Sequence, residues 1–494
     1  MRGRQDRSRL INSGQRRAGT ARPTRIRGRA RCLPQRRHCG VSQPRLTAPK
    51  ALSLVVLLLA LCLALPAIAQ IEGQAETYEL TLDECLAQTF ANNPEIRRLR
   101  ADVERAAGTK LVFTSRALPQ LAAEVRGGFR EGSLYDPDGL FSILTARFSQ
   151  PVVDVGIPAS IRRGKLEVII AQQNLNREVT ERLHEARVTY LRAEYVRDLL
   201  ALYGEIDRRL QANADSEQQR LDAGTGRQDA VLWAKIQKLS LQRDLANLRN
   251  EYFLAVTRLA ELTANNLTEK RAVRLPKPVG PLQYESTTVD GKQETARALE
   301  NRADLALLRT LVEAAAAEKR VTEAGYFPFV SLVASTLFIP ESFLLTKQTE
   351  IVAGQETRST EYRAGVALSW RVIDNGQVTG AKRRVESVRQ TYEITLRQLE
   401  QNIPRELAGI QRALENADEK REALRKSLAA AEQNLDLVET QIGLGQATQF
   451  DFLKAQSDLL SVRAGIADAT YAHEVARAEL DHATGRYLQF RLDN

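Results

Sequence analysis

The chain has 494 residues, 43% hydrophobic and 27% charged, with 71 basic residues against 61 acidic and a formal net charge of +10. The first 69 residues hold fourteen Arg and one Lys against Asp6 alone, so 60 acids and 56 bases are left for the remainder, which gives a nucleic-acid partner no support. Of the four cysteines only Cys85 lies beyond residue 69, which excludes an intrachain disulfide framework there.

Residues 51 to 65, ALSLVVLLLALCLAL, form an uncharged apolar run preceded by Lys50 and followed by Pro66 and Ala67-Ile68-Ala69. This is the pattern of a secretory signal peptide, with cleavage expected between Ala69 and Gln70. The run is shorter than the roughly 20 residues of a spanning helix, so a retained anchor is disfavoured. The Arg-rich stretch ahead of it is longer than a signal n-region and points to a start codon placed too far upstream. Thirteen residues separate Arg36-Arg37 from Ala51, a poor twin-arginine spacing, and Leu61 before Cys62 is too large for a lipidation site.

Beyond the leader the chain is written twice. An offset of 209 superimposes Leu99, Arg100, Val103, Glu104 and Pro119 on Leu308, Arg309, Val312, Glu313 and Pro328. By Ser149, Asp154 and Gly156 the offset is 220, matching Ser369, Asp374 and Gly376, and by Gly224 and Gly445 it is 221. Such a period is far longer than a solenoid unit and marks a duplicated domain half. The offset jumps between Phe129 and Ser149, where length is free, and is nearly constant from Gly156 to Gly224, where it is held. The extra length of the second half is thus expected between Phe338 and Tyr362, in a polar loop over Thr346 to Thr360. The segments read as a leader over 1–69, a first repeat over 70–265, a linker over 266–290, a second repeat over 291–486 and a tail over 487–494.

In chain order, Leu82 to Asn92 and Pro94 to Arg116 read as helices capped by Thr81 and Asn93, with Pro94 in the first turn and Pro119 forbidding continuation. Leu121, Ala123, Val125 and Phe129 alternate with Glu124, Arg126 and Arg130, the period of a strand with one apolar face. Phe141 to Gln150, Val330 to Phe338 and Tyr362 to Trp370 complete four strands of about 10 residues, the length of a tilted membrane-barrel strand. Phe129, Phe141, Phe148, Phe327, Phe329, Phe338 and Phe343, with Tyr326, Tyr362 and Trp370, gather in or beside them, as in an aromatic girdle. Alternation alone fits a soluble sandwich core equally well.

Pro158 to Ala223 and Gln377 to Gly443 carry apolar residues at steps of three, four and seven, and predict helices of about 100 Å. Such helices need coiled-coil neighbours, which the return helices Gln228 to Thr263 and Gln449 to Thr484 supply. Pro404 should kink the second. Pro276, Pro278 and Pro281 mark a polar link between the halves. Four strands leave two open edges and cannot close around a core, so membrane strands of this kind imply an oligomer: eight strands in a dimer, twelve in a trimer.

The repeat, the openings Ser149-Gln150-Pro151-Val152-Val153-Asp154-Val155-Gly156 and Ser369-Trp370-Arg371-Val372-Ile373-Asp374-Asn375-Gly376, and the turn-helix starts Gly224-Thr225-Gly226-Arg227 and Gly445-Gln446-Ala447-Thr448 resemble those of the TolC-like outer membrane efflux protein family over residues 79 to 486. The resemblance implies a mainly α fold with membrane β-structure: a long coiled-coil α-helical barrel in the periplasm and four strands per chain in the twelve-stranded β-barrel of a homotrimer in outer membrane lipid. It implies a passive exit duct for tripartite efflux or type I secretion, served by a periplasmic adaptor and an inner-membrane transporter of RND or ABC type. The two other readings are a periplasmic adaptor, which would carry one helical hairpin and small Gly-rich β domains, and a structural coiled-coil spacer, which has no use for alternating aromatic strands.

In that family the helix tips hold the entrance and the adaptor contact. Here these are Arg220 to Asp229 and Gln441 to Asp451, with Gly224, Arg227, Gly445 and Thr448 in the turns. Gly224 and Gly445 read as helix C-caps. Asp451 matches a position that forms an acidic ring at the entrance, where it would attract cations. Lys454 stands where some relatives place a second aspartate. In the first half Ala230 is the equivalent of Asp451, and Asp229 is one position off. The plainer reading of Asp451 is a solvated carboxylate on a helix dipole. No cofactor or metal is expected, and no enzyme: His184, His473 and His482 share no turn with a second ligand, and His473 and His482 are expected to be exposed.

Overall fold

A computed structural model describes residues 77–130, 139–264, 275–339 and 359–487. The leader with its Ala69–Gln70 junction, Phe343, the bulk of the 346–360 loop and the tail beyond residue 487 lie outside the described residues. The elements are β1 (Thr77–Leu80), α1 (Leu82–Asn92), α2 (Pro94–Ser115), β2 (Gln120–Arg130), β3 (Gly139–Val153), α3 (Gly156–Asp222), α4 (Gln228–Thr263), β4 (Leu275–Pro278), α5 (Gly291–Asn301), α6 (Ala303–Glu323), β5 (Phe329–Ile339), β6 (Ser359–Ser369), α7 (Gln377–Gly443) and α8 (Gln449–Ala483).

The caps form as the residue types dictate. The Thr81 hydroxyl accepts from the Glu84 N–H at 3.3 Å while the Glu84 carboxylate accepts from the Thr81 N–H at 3.0 Å, a reciprocal box at the start of α1. Asn93 ends α1 and starts α2, its Oδ1 accepting from Glu95 and Ile96 and its Nδ2 donating to the Leu262 carbonyl on α4. That last bond ties the upper helices to the return helix.

Helices α3 and α7 are each 67 residues long. Their equality is why the repeat's offset barely drifts across them, whereas the strand connections differ, spanning 131–138 in one half and 340–358 in the other. Helix α7 continues through Pro404, which is exposed, so the carbonyl it frees is on the hydrated side.

The four long strands form one antiparallel sheet in the order β2-β3-β5-β6, leaving β2 and β6 as edges. Each strand continues into a helix, and the helices keep the strand order: α2, α3, α6 and α7 lie side by side next to the sheet. Farther away α2 and α6 have ended, and the row becomes α4, α3, α8 and α7. The long helices therefore run through both rows while two shorter pairs exchange beside them.

Between the two rows lies a collar. Leu80, Cys85, Leu86 and Ile96 pack on Leu175, Val179, Leu183 and Tyr190 of α3 and on Val256 and Leu259 of α4. Ala298 and Leu305 pack on Ile403, Leu407 and Leu414 of α7 and on Leu480 of α8. The Pro-rich link read from sequence contains a strand: β4 pairs in parallel with β1, Thr77 facing Leu275 and Leu80 facing Pro278. The pair stands alone, so prolines fit on the side that has no partner, and a partner so distant in sequence leaves no local pattern.

Candidate functional site

Two parts of the fold hold the candidate functional residues, the sheet and the paired helix tips. Across the sheet the register aligns Leu121 with Phe148, Val125 with Leu144, Leu144 with Phe338, Thr336 with Tyr362 and Leu332 with Val366. Every described side chain on that face is uncharged, and many are open to solvent: Leu121 is 74% exposed, Tyr362 80% and Val366 72%. The opposite face holds Glu124, Arg126, Arg147, Glu361 and Arg363, with Arg126 bonded to Glu124 and Arg363 to Glu361, each at 2.6 Å. A soluble sandwich would bury the apolar face under a second layer. Among the described residues no element covers it, which favours the membrane reading of the alternation. Trp370 continues the apolar parity and donates its indole N–H to the Tyr326 carbonyl at 3.1 Å, an anchored pair at the end of the strands. Among the described residues no helix is long and apolar enough to cross a membrane.

At the far end of the row the chain reverses twice. After α3, Gly224 adopts φ 73°, Thr225 donates to the Arg220 carbonyl at 2.9 Å and Gly226 to the same oxygen at 2.7 Å. After α7, Gly445 adopts φ 71°, Gln446 donates to the Gln441 carbonyl at 2.9 Å and Ala447 to it at 3.3 Å. Both glycines occupy the left-handed C′ position that side chains resist.

The restarts of the helices differ. Thr448 caps α8: its hydroxyl accepts from the Asp451 N–H at 3.3 Å, and Asp451 Oδ2 accepts from the Thr448 N–H at 2.9 Å and from its hydroxyl at 2.6 Å. These bonds, led by the Thr448 hydroxyl, hold the Asp451 carboxyl below its ordinary range, with Lys454 adding a weaker attraction through space. Arg227, in the same place on α4, makes no cap bond. Its guanidinium grips Asp229 at 2.6 and 3.0 Å, which lowers the Asp229 carboxyl and raises the Arg227 guanidinium. All four side chains face solvent.

The tips lie side by side. Gln449 Nε2 donates to Asn213 Oδ1 at 3.0 Å, and the rings of Trp233 and Phe450 stand 5.2 Å apart. Between the tips is a cleft of about 590 Å³ lined by Asn213, Glu217, Arg227, Trp233, Phe450 and Leu453, among others. A second, of about 380 Å³, shares Trp233, Phe450 and Leu453 and reaches Lys454. Asp451 lines neither. The structure thus brings Arg227, Asp229 and Thr448 to one cleft, while Asp451 sits beside it as a capping carboxylate. Sequence reasoning missed Asn213 and Trp233, and it placed Gln449 and Phe450 within a tip without singling them out. One signal was available: at the offset of 221, Trp233 falls on Lys454, an aromatic ring where the other tip has a cation.

The expectation of exposed histidines is corrected. His473 is fully buried, its ring 4.8 Å from that of Tyr284 and its nitrogens 3.4 Å from Asp418 and 3.2 Å from Glu474. His482 is half-buried and stacks on His184 at 4.6 Å. Burial, and secondarily the neighbouring His482, pushes His184 down to about 4. Helical spacing alone does not show which face of α8 meets α3 and which meets α7. Among the described residues no group of three or more potential metal ligands is gathered.

The family model described as "Outer membrane efflux protein" matches residues 295–486. The chain is 23% identical over 422 residues to outer membrane efflux protein BepC of Brucella suis, covering 84% of this chain and 87% of that one. It is 21% identical over 423 residues to outer membrane protein TolC of Escherichia coli, covering 81% and 80%. Among solved structures it is similar to outer membrane protein VceC of Vibrio cholerae, with a TM-score of 0.65 at 17% identity, covering 82% of this chain and 96% of that one.

Proposed function

We propose that the chain is a member of the outer membrane efflux protein family, whose model matches residues 295–486, and that it is the outer-membrane exit duct of a tripartite efflux system, passive and without chemistry of its own. The observation that carries this reading is the sheet: an uncharged apolar face, a charged opposite face and two unpaired edges, continued strand by strand into helices. Open edges are not tolerated in lipid, so the sheet closes with other copies, the apolar face turned to lipid and the charged face to a water-filled lumen.

A homotrimer closes twelve strands. Its seams join the edge formed by β2, α2 and α4 to the edge formed by β6 and α7. Both edges carry exposed apolar side chains that a neighbouring copy would cover: Leu111, Leu232 and Ile236 on one, Ile394 and Leu437 on the other. The helix tips then form the periplasmic entrance and the contact for an adaptor, which would connect the duct to an inner-membrane transporter. Asp451 contributes one carboxylate per copy at that entrance, and Lys454 one ammonium a turn away.

The test is the reversal potential of the purified protein in planar bilayers under a salt gradient at low ionic strength, where screening is weakest. Stable conductance is expected. Asp451→Asn should reduce cation preference and Lys454→Asp should increase it, because the two alter one local field with opposite sign. Shifts of the same sign, or none, would remove both residues from the entrance. Failure of the wild type to conduct would overturn the duct.

A further inference from the structure

Trp370 and Tyr326 connect one face of the sheet to one side of the helices below it. Trp370 continues the uncharged parity of β6, and the carbonyl that accepts its indole N–H belongs to Tyr326. The hydroxyl of Tyr326 in turn hydrogen-bonds the Thr379 hydroxyl at 2.9 Å, in the first turn of α7. Lys382 and Arg383 stand three and four residues beyond Thr379, on the same side of the helix. The uncharged sheet face is therefore followed, on this side, by cations.

Ion pairs trace the same side across α6 to α3. Lys382 pairs with Glu323 of α6 at 2.8 Å, and Glu386, one turn beyond Lys382, pairs with Lys319 at 2.8 Å. Back along α6 from Glu323, in steps of three and four, come Arg320 and Glu313, and Glu313 pairs with Arg162 of α3 at 3.6 Å. Lys165 follows Arg162 one turn on. The three acids on this side are thus each matched by a cation, whereas Lys165, Arg320 and Arg383 are exposed and have no ion pair or side-chain hydrogen bond among the described residues. Nearer the sheet, Asp154 and Asp374 are spent on backbone N–H groups at the starts of α3 and α7. The other side of α6 is different: there Arg163 pairs with Glu167 and Glu318, and it shares a groove of about 240 Å³ with Glu318, Arg384 and Val388.

The level of these cations fits a headgroup layer. Strands β5 and β6 have 11 residues each, which at barrel tilt cover about 25 Å, the height of an apolar membrane band. Arg320 lies in the last turn of α6, and Arg162, Lys382 and Arg383 lie in the second turns of α3 and α7, about 5 to 9 Å along the helices from the strands. The polar layer on each side of a bilayer is about 5 to 8 Å deep. Side chains lean toward a helix's N-terminus, which for α3 and α7 is the sheet, so Lys165 and Arg383 reach back toward that layer. We propose that Lys165, Arg320 and Arg383 seat the headgroups of anionic phospholipids in the periplasmic leaflet. A net negative headgroup supplies the charge these cations lack, whereas the ammonium of a zwitterionic one is repelled by them. The inference rests on the duct reading, since only a sheet in lipid brings headgroups to this level.

The test is lipid selection at the protein surface. The full-length protein is reconstituted in phosphatidylcholine vesicles carrying a trace of spin-labelled phosphatidylglycerol or spin-labelled phosphatidylcholine, and the immobilised fraction of each label is read by electron paramagnetic resonance. Wild type should prefer phosphatidylglycerol about twofold or more at low salt, because one cation near an anionic surface is worth about fivefold and the seats are only part of the lipid boundary. The preference should shrink at about 1 M salt. Combining Lys165→Gln, Arg320→Gln and Arg383→Gln should abolish most of it, and Arg320→Lys with Arg383→Lys, which keeps the charge, should retain it. Arg384→Gln removes a cation at the same level on the other side of α6 and should leave it unchanged. No preference in wild type, or an equal loss in Arg384→Gln and the triple variant, overturns the seat. Displacement of the label by inorganic phosphate at matched ionic strength would make it a site for a free anion and overturns it too. Wild-type conductance in planar phosphatidylcholine bilayers separates the two failures: a conducting channel without lipid preference sinks the seat alone, whereas absent conductance sinks the duct.

Discussion

The two helix tips began as copies and still share a backbone, yet their side chains have gone separate ways. Gly224 and Gly445 have φ angles of 73° and 71° and are followed by the same double donation to one carbonyl. Beyond the turn, one tip restarts its helix with an Arg227–Asp229 ion pair and presents Trp233, and the other restarts with a Thr448–Asp451 box and presents Lys454. A turn between long helices is fixed by backbone geometry that few residues satisfy. Its outward side chains are not so fixed, so one tip can keep an aromatic wall and the other a pair of charges.

The sharpest difference lies at one position. Gly226 approaches the Arg220 carbonyl at 2.7 Å, and a Cβ there would stand 2.5 Å from the Leu221 nitrogen. Its counterpart Ala447 carries a Cβ and makes the longer 3.3 Å bond. Gly226→Ala should therefore cost the first tip about 2 kcal/mol or more, whereas Ala447→Gly should cost the second less than about 1 kcal/mol. Limited proteolysis at the tips would report this, and equal cleavage in the two variants would show that the turns are interchangeable.

A smaller effect separates the helix starts. Thr448→Ala removes the hydroxyl that holds Asp451 and should cost about 1 kcal/mol, read as faster amide exchange over residues 449–452. Arg227→Ala breaks a solvent-facing ion pair and should leave exchange over residues 228–231 unchanged. A larger change in the first tip than in the second would reverse the assignment of which start depends on its cap.

The smallest effect is one of pH and salt. Asp229 and Asp451 are both held below the ordinary value of 3.8, so what each contributes is present above that pH and lost as pH falls through the lower folded value. The cause differs: Asp229 depends chiefly on the Arg227 side chain and Asp451 chiefly on hydrogen bonds from Thr448. Carboxyl titration by NMR should find the depression of Asp229 reduced at about 1 M salt, where charges are screened within about 3 Å, and that of Asp451 retained. Equal salt dependence would mean that Lys454, not the cap, holds Asp451.

Much of the fold was legible because long elements announce themselves. Strict alternation located the four strands, steps of three and four located helices over 100 Å, and breakers fixed their ends, so that α4 starts and ends where Gln228 and Thr263 were read. The candidate site was legible only as turns. Gly224 and Gly445 are visible because left-handed backbone selects glycine, but Asn213 and Gln449 are ordinary polar residues until two helices bring them to 3.0 Å. His473 went unrecognised for the same reason: its neighbours Asp418 and Tyr284 come from two other segments, and no local period encodes them.

By itself the sequence determined the duplication, the equal length of the long helices, the alternating strands and the glycine turns. All of these follow from short-range rules: side-chain period, capping chemistry and the conformations a residue tolerates. Only the tertiary structure decided that no described element covers the apolar sheet face, that β4 finds β1, that Tyr284 of an apparent linker packs on Arg421 and His473, and that Asp451 spends its carboxylate on Thr448 beside the cleft. Those outcomes depend on which faces meet across segments far apart in the chain, and a contact between distant segments is written in no single stretch of either.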